Sequence, residues 1–322
     1  MITAIQFKNY KVLRDCTLPL GRFTLIVGAN GTGKSTALEA LRSGSIFQEY
    51  EKIATVGVSP AELSISLSWD GMMVVGRRQS PGHRDRDAYT QSTDINDLVW
   101  NVASRTIIYN LDATKVAVPV TLAPKMVLDP SGAGLAGVLD RLRDQHPERF
   151  DELNEQLALW LPEFDRVLFD TPAPGQRAFK LRTRSGHSIP AIDLSQGTLL
   201  ALAMLAIAYL PSPPPIVGFE EPDRGIHPRL LRDVRDALYR LAYPESVGEK
   251  RDPVQVIATT HSPYLLDLFR DHPDEIVIAQ RVGDNIKFER LSDRPDLDEI
   301  LQSGHLGDVW YSGVLGGVPD ER

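Results

Sequence analysis

The segment IVGANGTGKST at positions 26–36 sets Gly28, four intervening residues, then Gly33, Lys34 and Ser35, a spacing that suits a loop holding phosphate. Glycines at 28, 31 and 33 permit backbone angles and close approach that a Cβ would forbid, so successive N–H groups turn inward around a polyphosphate. Lys34 adds a point charge. Ser35 sits where its hydroxyl can ligate Mg²⁺, and the TALEALR that follows has the apolar spacing of a helix whose positive N-terminus faces the phosphates. Asn30, Gly31, Gly33, Lys34, Ser35 and Thr36 are therefore the candidate nucleotide contacts of this loop.

A phosphate loop needs an acid for the metal and another to handle the attacking water. IVGFEEP at 216–222 ends an apolar run with both: Glu220 would hold Mg²⁺ through a bound water, and Glu221 would orient or deprotonate the nucleophilic water. A further apolar run, ATTHSPYLLD at 258–267, places His261 at the carboxyl edge of a sheet, where ligands sit in open α/β folds. There it can donate to a γ-phosphate oxygen or sense its loss. In LSQGTLLAL at 194–202, Ser195 and Gly197 open an apolar helix, so a hydroxyl, free N–H groups and a helix dipole meet at another anion site. One nucleotide does not need two such sites from one chain. The economical arrangement is a head-to-tail homodimer in which this segment completes the phosphate site of the partner subunit.

These residues require strands and helices to carry them. A strand over 2–7, a short polar stretch and a second strand over 23–27 lead into the phosphate loop. Residues 63–78 alternate apolar and polar on both sides of Asp70-Gly71, which predicts a β-hairpin, and the unpatterned polar stretch 79–97 predicts a loop. A short strand over 106–109, helices over 134–143 and 147–160, and a hairpin over 166–184 follow. Beyond Ser195 the order is helix, buried strand, helix, buried strand, helix, as in a parallel sheet with crossover helices. No apolar heptad persists over three or four heptads, which excludes a long coiled-coil arm.

With 322 residues, 42% hydrophobic and 24% charged, the chain can bury a large core. One cysteine, Cys16, makes neither an internal disulfide nor a cysteine-built metal site, so a reducing, cytoplasmic location is expected. The longest apolar stretch, 199–210, is too short to span a bilayer, and the first residues show no charged segment followed by an apolar one, so neither secretion nor membrane insertion is expected. A net charge of −8 argues against a chain that holds DNA by a broad electrostatic field. Two local basic clusters, Arg77-Arg78 with Arg84 and Arg86, and Lys180-Arg182-Arg184, read either as solvated surface or as weak nucleic-acid contacts.

The ordered set of phosphate loop, LSQGT, EEP and TTHSP resembles the ABC-type ATPase family over about residues 3–268, and within it the SMC, RecF and OLD-like branch. The opening IQFKNYKVLRDCTLPLGRFTLIVGANGTGKS is similar to that branch's N-terminus. TIIYNLDATKVAVP, GLAGVLDRLRDQHPERFDELN, EEPDRGIHPRLL and SGHLGDVWYSGVLGG are similar to small stand-alone bacterial ATPases of the AAA-15/21-type group. The resemblance implies an α/β P-loop NTPase fold of ABC-ATPase type, with a mixed, largely parallel sheet core, an antiparallel β subdomain and a helical lobe. It implies one domain over 1–322: a β and phosphate-loop lobe at 1–110, a helical and hairpin insertion at 111–200, and a lobe at 201–322 carrying the acids and the histidine. Carried over by position, Lys11 would lie near the nucleotide phosphates or base, Asn110 or Asp112 near the Mg²⁺ and water, and His227 in a loop facing the partner subunit.

Two departures matter. Glu220 stands where an aspartate is usual, and the reactive-water loop offers no clear glutamine, which leaves Asn110 and Asp112 as open alternatives. The chain ends after its last short strands and helix, so no TOPRIM nuclease domain is expected in it. The activity implied is Mg²⁺-dependent ATP binding and hydrolysis by a homodimer that acts as a conformational switch, with no membrane partner. A separate effector, a nuclease or toxin-like protein in DNA repair or anti-phage defence, would read that switch. A transporter ATPase subunit and a slowly hydrolysing, nucleotide-gated scaffold are the alternatives, and the long interval from Thr36 to Ser195 counts against the transporter.

Overall fold

A computed structural model describes residues 1–41, 55–56, 64–69, 72–76, 102, 104–302 and 304–316. The basic cluster at Arg77, Arg78, Arg84 and Arg86 and the polar stretch 79–97 lie outside the described residues. In chain order the strands are β1 (Ile2–Tyr10), β2 (Leu13–Pro19), β3 (Phe23–Gly28), β4 (Ser64–Trp69), β5 (Met72–Gly76) and β6 (Ile107–Tyr109). There follow β7 (Val120–Thr121), β8 (Phe164–Asp170), β9 (Gln176–Thr183) and β10 (Ser188–Pro190), then β11 (Ile216–Glu220), β12 (Gln255–Thr260), β13 (Ile276–Val282) and β14 (Asn285–Arg290). Among the described residues no helix is long and apolar enough to cross a membrane.

The chain forms two compact units. One comprises Met1–Ile108, Pro214–Glu220 and Pro253–Arg322, the other Tyr109–Pro213 and Glu221–Asp252.

In the first unit a six-stranded sheet has the order β14-β13-β3-β12-β11-β6. β13, β3, β12 and β11 run parallel, and β14 closes one side as an antiparallel hairpin partner of β13. Every residue of β3 and of β12 is buried, which is why neither shows a strict apolar–polar alternation in the sequence. An antiparallel sheet, order β2-β1-β4-β5, completes the unit. The expected hairpin is present, with Trp69 opposite Met72. The polar stretch expected between the first two strands is instead β2, paired along β1 from Ala4–Pro19 to Tyr10–Leu13. Its buried residues Leu13, Cys16 and Leu18 do not keep a strict two-residue period, so the alternation that marks a strand is broken. Gln255 at the start of β12 ties the N-terminus down: it accepts from the Ile2 N–H at 3.1 Å and donates to the carbonyls of Ile2 and Gly21 at 2.6 and 2.8 Å.

The second unit packs helices on a small sheet in which β9 pairs antiparallel with β7, β8 and β10. Helix Pro147–Trp160 begins on a proline, whose missing N–H costs nothing in the first turn. Buried Asn154 donates to the Phe150 carbonyl at 2.8 Å and accepts from the Val167 N–H at 2.7 Å, joining that helix to β8. Helix Gln196–Ala208 is buried from Thr198 onward on every side, as its apolar composition dictates. The Lys180-Arg182-Arg184 cluster is engaged locally. Lys180 pairs with Asp170 at 3.0 Å, Arg182 grips Asp165 through two bonds of 2.8 and 3.0 Å, and Arg184 donates to the Pro162 and Ala158 carbonyls.

Candidate functional site

In the first unit the phosphate loop leaves β3 at Gly28 and curls before helix Lys34–Glu39. Gly31 and Gly33 both have φ of +80°, a left-handed conformation that side chains with a Cβ adopt at a cost. A Cβ on Gly28 would fall 2.5 Å from Thr32 Oγ1 and 2.6 Å from the Ala279 carbonyl; on Gly33 it would fall 2.7 Å from Leu13 Cδ2, whereas on Gly31 it would meet nothing within 4 Å. The loop is thus packed from below by β13 and the start of β2 and open at its apex. Lys34 is buried, and its ammonium donates to the carbonyls of Gly28 and Ala29 at 2.7 and 3.0 Å, which folds the loop around the charge. A turn of backbone with left-handed glycines over a buried cation is an anion cradle. Ser35 and Thr36 lie in the helix's first turn.

Strand register brings further groups to the same sheet edge. Val27 pairs with Thr260 and Thr259 with Glu220, so the carboxyl ends of β3, β12 and β11 finish together, while β13, whose Ala279 lies opposite Gly28, runs on to Val282. At about 4.8 Å between neighbouring strands, Glu220 lies two strands, roughly 10 Å, from the start of the phosphate loop. Exposed His261 follows β12 directly. Ser262 behind it donates its N–H to Thr260 Oγ1 at 2.9 Å and caps helix Pro263–Asp267 by accepting from the Leu265 N–H, fixing the exit of the chain after the histidine. Among the described residues no group of three or more His, Cys, Asp or Glu could hold a metal ion unaided. The oxygens of Ser35 and Glu220 suit Mg²⁺, which keeps water and phosphate ligands and takes few from protein. Lys11 ion-pairs with Glu39 at the end of the phosphate-loop helix and lies over the Tyr10 ring at 5.8 Å.

The remaining candidates belong to the second unit. Ser195 is the N-cap of helix Gln196–Ala208, accepting from the Thr198 N–H at 3.2 Å and sharing a hydroxyl bond with Thr198 at 2.8 Å. Ser195 and Gln196 are exposed, beside Ile192, which is 80% exposed. Gly197 packs on the turn that follows Glu221: its Cβ would approach the Gly225 carbonyl to 3.1 Å, and a Cβ on Gly225 would meet Gln196 Nε2 at 2.9 Å. Glu221 has φ +46°, a conformation that costs a non-glycine residue of order 1–3 kcal/mol and that collects at functional sites. Exposed His227 accepts from the Arg229 N–H through Nδ1 at 3.2 Å.

Asn110 and Asp112 separate here. Asp112 caps a short helix, and hydrogen bonds from the Thr114 hydroxyl and N–H hold its carboxyl below the usual range. Asn110 instead accepts from Arg224 at 2.8 Å. Arg224 is a residue that sequence reading misses, since nothing in EEPDRGIHP connects it with a residue more than a hundred positions earlier.

Comparison with known proteins bears on the family and the fold. The family described as "AAA domain, putative AbiEii toxin, Type IV TA system" matches residues 73–267, and the family described as "AAA ATPase domain" matches residues 1–63. The first covers more than half of the chain, and the chain belongs to that family: it is an AAA ATPase domain with a nucleotide-binding phosphate loop. Its fold is that of SMC heads. A crystal structure of an SMC head bound to the C-terminal winged-helix domain of ScpA covers 89% of this chain and 96% of its own, at 17% identity and a TM-score of 0.57. The Smc head of Pyrococcus furiosus bound to the C-terminal domain of ScpA covers 94% and 98%, at 15% identity and 0.57. An OLD nuclease of Thermus scotoductus is 51% identical over 41 residues, which span 13% of this chain and only 8% of that protein.

Proposed function

We propose that this chain binds ATP in the phosphate loop and hydrolyses it as a head-to-tail homodimer whose opening and closing drives a separate effector. The observation that best supports the reading is the register that ends β3, β12 and β11 together, with Gly28, His261 and Glu220 along one sheet edge. In this account the loop N–H groups and Lys34 hold the phosphates and His261 donates to the terminal one. Glu221 orients the attacking water, and Ser195 with Gly197 completes the partner's site. Ser35 and Glu220 would hold Mg²⁺, which neutralises phosphate charge when bound. The effector is a nuclease or toxin-like protein in DNA repair or anti-phage defence.

Phosphate release by purified protein tests the enzymatic part. Lys34→Ala should lose ATP binding or hydrolysis with its fold intact, and Glu221→Gln should bind ATP and hydrolyse it about 100-fold more slowly. Normal turnover by Lys34→Ala would remove the phosphate-loop assignment, and normal turnover by Glu221→Gln would remove the role given to that carboxylate.

A further inference from the structure

We infer that Arg224 is a positioning residue for hydrolysis, holding the Glu221 carboxylate and the Asn110 carboxamide in one constellation; the inference rests on the reading that Glu221 handles the attacking water. Arg224 Nη2 donates to Asn110 Oδ1 at 2.8 Å and to the Leu111 carbonyl at 3.3 Å, while Nη1 faces Glu221 Oε2 at 4.0 Å. The planar fork of a guanidinium serves two directions at once, which a lysine ammonium on a flexible stem does not. The backbone supports the same geometry: the Arg224 N–H closes a turn onto the Glu221 carbonyl at 2.9 Å.

Both clients need such a clamp. Glu221 sits in left-handed backbone, a conformation that persists only where surrounding contacts over-determine it. Asn110 can turn its amide either way, but a guanidinium only donates, so Asn110 must present Oδ1 to Arg224 and direct Nδ2 away from it. Arg224 is 52% exposed, so its ion pair contributes little to stability. Its effect falls on geometry, where a displacement of about 1 Å can cost 100-fold in rate.

The test compares Arg224→Ala, Arg224→Lys, Glu221→Gln and the double variant Arg224→Ala/Glu221→Gln in Mg²⁺-dependent ATP hydrolysis, with amide hydrogen exchange of the nucleotide-free proteins. Arg224→Ala should lower kcat about 100-fold with KM little changed, and Arg224→Lys should remain about 10-fold below wild type. The double variant should be slower than Glu221→Gln by far less than the loss Arg224→Ala causes alone, because most of what Arg224 does passes through that carboxylate. Exchange should quicken at 110–112 and 221–227 in Arg224→Ala without nucleotide. A wild-type rate in Arg224→Ala or Arg224→Lys while Glu221→Gln is slow overturns the inference alone, as does a double variant that multiplies the two losses. A wild-type rate in Glu221→Gln overturns the underlying reading as well.

Discussion

Two glycines in the phosphate loop share one backbone conformation and differ in surroundings, which separates two causes of their requirement. At Gly31 a Cβ meets nothing, so Gly31→Ala should cost only the left-handed backbone term, about 1–2 kcal/mol. At Gly33 the same term is joined by a collision with Leu13 Cδ2 at 2.7 Å, adding about 1–3 kcal/mol of overpacking. Urea unfolding of both variants measures the difference, and equal midpoints would show that β2 does not support the loop. The glycine turn at 31 and 33 and the helix that follows it were legible because the chemistry of phosphate fixes the types and spacing of such a loop. Leu13 beneath Gly33 and Glu39 against Lys11 were not legible, because each pairing joins residues with no periodic relation.

At the scale of elements, long apolar strands and capped helices were read with nearly their observed bounds. Helix Pro147–Trp160 matches the expected span, and β11 and β12 are buried strands that end at Glu220 and directly before His261. β2 was missed, since its inward residues depart from a two-residue period, and its placement is testable through Cys16. Burial chiefly, with a contribution from Asp15, pushes the Cys16 thiol up to about 12. At pH 8 the native thiol should therefore resist a thiol-specific reagent and react only on unfolding, and rapid labelling without denaturant would place β2 elsewhere. Because the folded thiol is harder to ionise than the unfolded one, it leaves stability untouched at neutral pH and erodes it above about pH 9. The join between helix Pro147–Trp160 and β8 has its own test: Asn154→Leu strands the buried Val167 N–H and should cost about 1–3 kcal/mol. Nucleotide affinity should not change with it, and a loss of ATP binding in that variant would contradict its structural assignment.

For the whole molecule, the candidates divide by unit. The phosphate loop, Glu220 and His261 belong to the first; Ser195, Gly197, Glu221, Arg224 and His227 belong to the second. The fold class and the sheet edge were readable from the order of motifs, but the boundary between Glu220 and Glu221 was not, because adjacent residues in an apolar-to-acidic run give no sign that the chain leaves one unit there. Charge at this scale also bears on nucleic acid. With a net charge of −8 and with Lys180 and Arg182 paired to Asp170 and Asp165, DNA affinity should be weak, salt-sensitive and higher with ATP present. Fluorescence anisotropy with duplex DNA checks this, and tight binding by nucleotide-free protein at physiological salt would contradict it.

If Ser195 and Gly197 complete the partner's phosphate site, ATP is itself part of the interface, and the dimer should form with ATP and loosen once the γ-phosphate leaves. Light scattering of Glu221→Gln, with and without Mg·ATP, beside the double variant Ser195→Arg/Glu221→Gln, measures this directly. The account predicts twice the chain mass for Glu221→Gln only when ATP is present, and the mass of one chain for the double variant under both conditions although it binds ATP. An ATP-bound Glu221→Gln that stays at one chain mass, or a double variant that dimerises equally well, would contradict the composite site.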